Sequence, residues 1–248
     1  MDYQKYLVMP NATIPKDIAE KLKKPGNNHI TSFTDKNDIL THKELHEDIG
    51  YTQMEDGNYI ISSRVELPGI TAQMAEWWFW WHPLQKERYM LWYPGEHFGI
   101  GYAKKEESYF NQKKMPEFQP NMQYPIERIG EMKLPLSIDF VTPEQFGYDE
   151  KLMKENDVAT IICGHVGAFR DFVPHTEMSH ICFQRENGLF MVNRFWMGQR
   201  AKNAVVRKLL LTDENAKGMA EHCYIEYHNF AKKIPMLYEE YLKEISNN

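Results

Sequence analysis

The chain lacks the cysteines that a disulfide framework or a thiolate metal site needs. Its 248 residues contain three cysteines, Cys163, Cys182 and Cys223, which are odd in number, scattered and never in CxxC spacing. Small secreted proteins and cysteine-based zinc modules depend on paired or closely spaced cysteines. The pattern therefore argues against both classes.

Long hydrophobic runs and a basic charge excess are also absent. The longest apolar stretches, such as VATIIC at 158–163, are far too short to cross a bilayer, and the N-terminus lacks the basic-then-apolar order of a signal peptide. The net charge of −6 is spread along the chain, so neither a nucleic-acid surface nor a polybasic membrane patch stands out. We therefore expect a cytoplasmic enzyme or small-molecule-binding protein, with no nucleic-acid or membrane partner.

Aromatic residues are what the chain has in excess. They make up 13% of the sequence, and four of the six tryptophans lie within five positions of the stretch EWWFWWHP, residues 76–83. Neighbouring residues of a helix point about 100° apart, so these indoles cannot all face one side. Most of them are expected to pack in the core, one or two could line an aromatic pocket, and a membrane-interface belt is the weakest interpretation.

The order of the predicted elements indicates an α+β fold. Residues 1–48 form a polar, partly helical extension, and residues 49–248 form the main domain. In that domain, Thr71 is expected to cap a helix that ends at Pro83, and a final long helix is expected to begin near Thr212 and to bend or break around Pro235. The stretches predicted as strands, with a hairpin at Asn187-Gly188, are ERYMLWYP, HFGIGYA, MQYPIERIG, PLSIDFV, VATIICGHVG, EMSHICFQRENG and LFMVNRFWMG. A curved antiparallel sheet around the last helix would enclose a ligand cavity.

Histidines and glutamates supply the candidate chemistry. His222 and Glu226 are four residues apart, which on a helix places both side chains on one face, where they could share a metal ion. HxxxE alone is a weak signal, and the spacing by itself favours a solvated helix face over a metal site. His82 follows the tryptophans, where the alternative is a half-buried histidine bonded to backbone. The other candidates lie in or beside strand-like stretches and could face a cavity, the core or solvent, namely Glu96, His97, Glu127, His165 and His180.

Taken in order, several motifs resemble the diacetylphloroglucinol hydrolase family, which includes the phloretin hydrolases. The motifs are the tryptophan stretch ending in HP, then ERYMLWYPGEHFG, YPIERIG, LSIDFVTPEQFGYD, MSHICFQRENGLFMVNRFWMG and HCYIEYHNFAKKIPMLYEEY. The resemblance covers roughly residues 48–241. It implies a Bet v 1-like fold, in which a curved antiparallel sheet grips a long C-terminal helix, with a small N-terminal helical region. It also implies a zinc-dependent hydrolase that cleaves the carbon–carbon bond between a polyhydroxylated ring and its acyl group, and a homodimer.

The resemblance further implies a metal held by two histidines and two glutamates. By motif these are His82, Glu127, His222 and Glu226, with Glu96, Glu106 and Glu117 open as alternatives to Glu127. Mixed nitrogen and oxygen ligation suits zinc but also manganese or iron. The family's asparagine three residues after the first histidine is Gln85 here, a departure that favours phloretin-like acylphenols over a diacetylated substrate.

The mechanism implied for this site begins with the ring in a keto tautomer, so that the scissile bond becomes that of a β-diketone. Zinc would polarise the oxygens and acidify a water that attacks the acyl carbonyl. His165 or His180 is predicted to protonate the ring carbon at near-neutral pH, and Trp81, Trp92 and Gln85 are predicted to bind the substrate. The alternative is a Bet v 1-like carrier or sensor that binds aromatic ligands without transforming them.

Overall fold

A nine-stranded antiparallel sheet and a long C-terminal helix dominate the computed structural model, which describes residues 3–26, 28–169 and 172–246. The strands described are β1 (Gly50–Gln53), β2 (Tyr59–Pro68), β3 (His97–Gly99), β4 (Asn121–Gln123), β5 (Ile126–Ile129), β6 (Met132–Val141), β7 (Val158–Ala168), β8 (Val173–Arg185) and β9 (Gly188–Met197). The α-helices described are α1 (Gln4–Leu7), α2 (Lys16–Lys21), α3 (Asp38–Thr41), α4 (Ala72–Trp81), α5 (Lys86–Trp92), α6 (Glu107–Phe110), α7 (Pro143–Phe146), α8 (Glu150–Glu155), α9 (Ala204–Leu210) and α10 (Asp213–Ser246). Short 3₁₀ helices cover Lys43–Glu47, His82–Leu84 and Lys104–Glu106.

The sheet curves around α10. Its strand order is β1-β2-β9-β8-β7-β6-β5-β3, with β4 paired to β6. Helix α10 contacts β1 and β2 near one end of this order and β5 near the other, which a flat sheet would not allow. The predicted α+β class, an antiparallel sheet gripping a long C-terminal helix, is therefore confirmed.

Strand alternation divides the apolar residues between two cores. Ile61 and Phe195 pack in the larger core, on the face toward α10 and α4. Their chain neighbours Ile60 and Trp196 pack in a smaller core on the opposite face, beneath α3 and α7. Because successive side chains of a strand point to opposite faces, this division decides which polar residues face α10.

The four clustered tryptophans are all buried, as core residues would be. Thr71 caps α4 by accepting a hydrogen bond from the Met74 amide, as predicted. Trp77 stacks on Trp81 and meets Tyr238 and Tyr241 of α10, so this indole pair anchors the last helix. The tryptophan cluster is therefore mainly packing.

Two predicted elements differ from the structure. The aromatic stretch ERYMLWYP was expected to be a strand, but Lys86–Trp92 is the helix α5. In the hairpin, Arg185 pairs with Gly188, so the two turn residues are Glu186 and Asn187, one position earlier than predicted. Gly188 has a φ of +139° and lies against the backbone of Leu67, where a side chain would collide.

The final helix is continuous. The Thr212 hydroxyl accepts a hydrogen bond from the Asn215 amide at 3.2 Å, which confirms the predicted cap. The helix runs without interruption through Pro235, so the predicted break there is wrong. None of the helices in the described ranges is both long and apolar enough to span a membrane.

The N-terminal segment packs onto the main structure. Tyr6, Ile18 and Leu22 belong to the larger core. The Ala12 amide donates to Asn229 Oδ1 of α10 at 2.7 Å. The division at residue 48 stays a prediction, but the lead-in contributes to the same core as the sheet.

Candidate active site

Three buried ligating side chains converge where β3 meets α10. The ligand atoms of His97, His222 and Glu226 all lie within 4.8 Å of one another. His97 Nε2 is 3.3 Å from His222 Nε2 and 3.3 Å from Glu226 Oε1. One ion could contact all three.

Glu127 of β5 extends this group. Its Oε2 lies 3.7 Å from His222 Nε2, and its Oε1 accepts a hydrogen bond from the Tyr89 hydroxyl. Glu127 is opposite His97 in the β3–β5 register, with a bulge between His97 and Gly99. Strand pairing thus supplies one histidine and one glutamate, and the i,i+4 spacing on α10 supplies the other two. We call these four residues the ligand group.

Backbone contacts aim both imidazoles of the ligand group inward. His97 Nδ1 donates to the Tyr89 carbonyl at 3.3 Å, and the Arg128 backbone hydrogen-bonds the His222 ring. Such outer contacts fix the tautomer and orientation of metal-binding histidines. The Nε2 atoms of both rings are therefore left to face each other across the group.

Burial opposes charge on every member of the ligand group. It lowers the pKa of His97 to about 4 and that of His222 to about 3. It also raises the pKa of Glu127 to about 7 and that of Glu226 well above its usual range. These directions reflect the cost of placing charge in a nonpolar interior.

The ligand group fits a divalent cation. Two neutral imidazole nitrogens 3.3 Å apart present lone pairs to each other. The buried carboxyl groups of Glu127 and Glu226 lie beside them. A cation bound among them would accept all four lone pairs and neutralise both carboxylates. The donor set, two nitrogens and two oxygens, suits zinc and several other divalent metals.

The ligand group opens onto a cavity between the sheet and α10. Its walls are mainly apolar and aromatic, including Phe79, Trp92, Met178 and Phe195. Glu127, His222 and Glu226 are among its few charged or titratable lining residues. The cavity could hold a flat aromatic molecule beside the ligand group.

The structure does not bring His82, the histidine that was predicted as a metal ligand after the tryptophans, into the ligand group. His82 lines the same cavity, but its Nδ1 donates to the Trp78 carbonyl at 2.6 Å, and it is not part of the ligand group. His97 takes its place beside His222 and Glu226. Glu127 is where the resemblance put it, whereas Glu96, the exposed-side neighbour of His97, pairs with Arg128 at 3.6 Å.

The two predicted proton donors lie on opposite faces of the sheet. His180 lines the cavity; its Nδ1 donates to Asn193 Oδ1 at 2.8 Å, and its Nε2 accepts from the Tyr227 hydroxyl at 2.6 Å. Burial lowers the pKa of His180 to about 3, so the expected near-neutral titration is not what its surroundings produce. The His165 side chain points to the opposite face of the sheet, away from the cavity. There its ring stacks on Phe146, and its Nδ1 lies 2.5 Å from Glu177 Oε2.

Of the three residues predicted to contact the substrate, one lines the cavity and two do not. Trp92 lines the cavity, and its indole N–H donates to the Glu226 carbonyl at 2.9 Å. Trp81 instead is buried against Trp77 and under the Arg88 guanidinium. Gln85 is exposed and accepts from the Tyr3 hydroxyl at 2.8 Å. Neither Trp81 nor Gln85 is a cavity residue.

His97 is the candidate ligand that the sequence prediction did not assign to the metal site. The sequence feature that could have identified His97 is the pair of short strand-like pieces HFG and IERI. When these strands pair, His97 lies opposite Glu127.

Comparisons with known proteins identify relatives of this chain. Two curated proteins named 2,4-diacetylphloroglucinol hydrolase, from Pseudomonas protegens and from a Pseudomonas species, are each 28% identical to the chain over 230 residues, covering 85% of it and 74% and 77% of their own lengths. Phloretin hydrolase of Eubacterium ramulus is 26% identical over 257 residues, covering 97% of this chain and 90% of its own.

Solved structures are more distant. A STAR-related lipid transfer protein from Xanthomonas axonopodis aligns with a TM-score of 0.40 at 9% identity, over 73% of this chain and 91% of its own. At the family level, residues 30–239 match the DAPG hydrolase PhiG domain, which spans every residue of the ligand group. The chain belongs to the DAPG hydrolase family, as its motifs predicted.

Proposed function

We propose that this protein is a zinc-dependent hydrolase that cleaves the carbon–carbon bond between a polyhydroxylated aromatic ring and its acyl group. Phloretin or a related acylphloroglucinol is the substrate class that we infer. The observation that carries the proposal is the convergence of four buried side chains able to bind a metal, three of which line an aromatic-walled cavity. Family membership and the names of the relatives support the substrate class.

The cavity walls would hold the ring flat and exclude bulk water. Phe79 and Trp92 meet edge to face, with ring centroids 5.6 Å apart, and both line the cavity. The substrate's oxygens would then point to the ligand group, whose carboxylates and imidazoles hold the zinc. When bound, that ion supplies Lewis acidity and a more acidic water.

In the overall reaction, water adds hydroxide to the acyl carbon and a proton to the ring carbon. The ring leaves as a phenol and the acyl group as a carboxylate. The chain's own proton path at this wall is Tyr227 and His180. Because His180 donates its Nδ1 proton to Asn193, its Nε2 lone pair accepts the hydrogen bond of the Tyr227 hydroxyl and so orients that hydroxyl for proton transfer.

Product analysis tests the proposal. Purified zinc-loaded protein is incubated with phloretin and, separately, with diacetylphloroglucinol, and the products are identified by mass. We expect a deacylated phenol and a free carboxylic acid from at least one of them, with activity lost on chelation and restored by zinc.

A matched pair of variants on α10 provides the control. Glu226→Gln should abolish turnover because it removes a ligand, whereas Glu221→Gln should retain it, since Glu221 is partly exposed and pairs with Lys217 at 3.2 Å. Binding of both compounds without any product would identify the protein instead as a carrier or sensor. Full activity in metal-free protein would overturn the zinc dependence.

A further inference from the structure

Two side chains present hydrogen-bond acceptors in the cavity wall. One acceptor is Gln123 Oε1 on β4, and the other is His82 Nε2 at the end of α4. Both residues line the cavity, and their exposed fractions are 1% and 2%. Neither belongs to the ligand group.

The orientation of Gln123 is set by its amide nitrogen. Its Nε2 donates to the Phe79 carbonyl at 3.0 Å and to Asn121 Oδ1 at 2.9 Å. Asn121 is held in turn by its own Nδ2, which donates to the Gln119 carbonyl at 2.8 Å. Flipping the Gln123 amide would turn an oxygen toward two acceptors. Its Oε1 therefore stays in the wall, where it has no hydrogen-bond partner among the described residues.

The orientation of His82 is set in the same way. Its Nδ1–H donates to the Trp78 carbonyl, which in the neutral ring leaves Nε2 as an acceptor. Burial lowers the pKa of His82 to about 3, while the Gln123 side chain acts in the opposite direction. A bond from Nε2–H to Gln123 thus exists only in the cationic ring, which burial disfavours. In the neutral ring, two lone pairs face the same part of the cavity.

The position of this acceptor pair relates it to the ligand group. The Tyr89 ring lies 5.3 Å from the His82 ring and stacks at 4.2 Å on that of His97. Tyr89 therefore separates the acceptor pair from the ligand group, and a flat molecule lying along it would reach both. A molecule with a carbonyl at one end and hydroxyl donors on its ring has the complementary chemistry.

We propose that Gln123 Oε1 and His82 Nε2 accept hydrogen bonds from ring hydroxyls of the substrate and so select hydroxylated acylphenols over analogues that lack those hydroxyls. The inference rests on the proposed function, because it concerns the same cavity and substrate class. A buried acceptor left unpaired by the wrong ligand penalises that ligand, which makes such a pair a specificity determinant rather than a general source of affinity.

The test is a matrix of variants and ligands. Dissociation constants are measured from quenching of the indole fluorescence of zinc-loaded protein, by rapid mixing before turnover. The ligands are acetylphloroglucinol and acetophenones that lack its ring hydroxyls one at a time. For the unaltered chain we expect removal of at least one particular hydroxyl to weaken binding about tenfold or more.

Gln123→Met removes the acceptor while keeping the length of the side chain. In this variant, the penalty for losing that hydroxyl should fall below about threefold, whereas the penalties for the other hydroxyls should persist. His82→Asn is the second variant, because an asparagine amide can still donate locally but is too short to place an acceptor at Nε2. It should reduce the same discrimination, and it keeps the test open if Gln123→Met does not fold.

Several outcomes would overturn this inference. They are an unaltered chain that binds all the analogues equally or binds none, and variants that weaken every ligand by the same factor. The readout does not depend on hydrolysis. A chain that discriminates the hydroxyls but forms no products would therefore refute the proposed hydrolase and leave the acceptor pair supported.

Discussion

At the scale of single residues, His82 and His97 show how neighbours decide the chemistry of one side chain. Both are buried, and both donate from Nδ1 to a carbonyl of the preceding turn or helix. His97 Nε2 then meets an imidazole and a carboxylate, whereas His82 Nε2 shares its surroundings with Gln123. One arrangement suits a cation and the other suits a hydroxyl donor.

Tyr227 provides a prediction at this scale. Tyr227→Phe removes the hydroxyl that donates to His180 Nε2 but preserves the ring. Zinc content and KM should therefore change little. We expect kcat to fall by roughly a hundredfold or more, the usual contribution of a positioned proton-transfer group. Steady-state kinetics with parallel metal analysis measure both quantities. A kcat within about twofold of the unaltered enzyme would remove this pair from the proton path.

Part of the ligand group could be predicted from local sequence and part could not. The helical period alone places His222 and Glu226 on one face of α10, so their proximity could be predicted from local sequence. His97 depends on the pairing of β3 with β5, which are separated in the chain by a segment that contains α6 and β4, and no local period encodes that contact. The tryptophan cluster drew attention to His82, which does line the cavity but lies outside the ligand group.

At the scale of elements, α5 shows tertiary contacts overriding a strand-like composition. Its aromatic residues favour a strand locally, but as a helix it buries Tyr89, Leu91 and Trp92 together. Lys233 of α10 then donates from Nζ to the Leu91 carbonyl at 2.7 Å, near the C-terminal end of α5. The long, strongly patterned elements α4 and α10 were predictable, because their caps and periods are local signals. The helical state of α5 depends on contacts with distant parts of the chain, so no local signal predicts it.

Lys233 gives the prediction for this scale. Lys233→Met would leave buried carbonyls of α5 without a donor, so the free energy of unfolding should fall by about 1–3 kcal/mol. Lys232→Met is the matched control, because the neighbouring Lys232 ammonium group is exposed and donates to the Pro10 carbonyl at 3.3 Å. That change should cost about 0.5 kcal/mol or less. Urea denaturation measures both, and equal effects of the two variants would contradict a capping role.

At the scale of the whole molecule, a cavity enclosed by sheet and helix creates buried histidines that resist protonation. Burial lowers the pKa of His175 to about 4 and that of His82 to about 3. The unfolded chain, with histidine pKa values near 6.5, then binds more protons than the folded one over the intervening pH range. The histidines' contribution to stability is therefore complete above about pH 6.5 and is lost as the pH falls toward 4.

This linkage predicts acid destabilisation that one variant should reduce. His175→Gln removes one such group, so the slope of unfolding free energy against pH should fall by about 1.4 kcal/mol per pH unit between roughly pH 6 and pH 5. Denaturation at several pH values, compared with the unaltered chain, isolates His175 from any loss of bound metal. An unchanged slope would show that His175 titrates alike in both states.

The assembly of the ligand group is tested most directly by metal content. Zinc is measured by mass spectrometry in the unaltered protein, in His97→Ala and in His82→Asn after identical purification and dialysis. We predict about one zinc per chain in the unaltered protein and in His82→Asn, and little or none in His97→Ala. Zinc retained by His97→Ala, or lost from a folded His82→Asn, would contradict the proposed metal site.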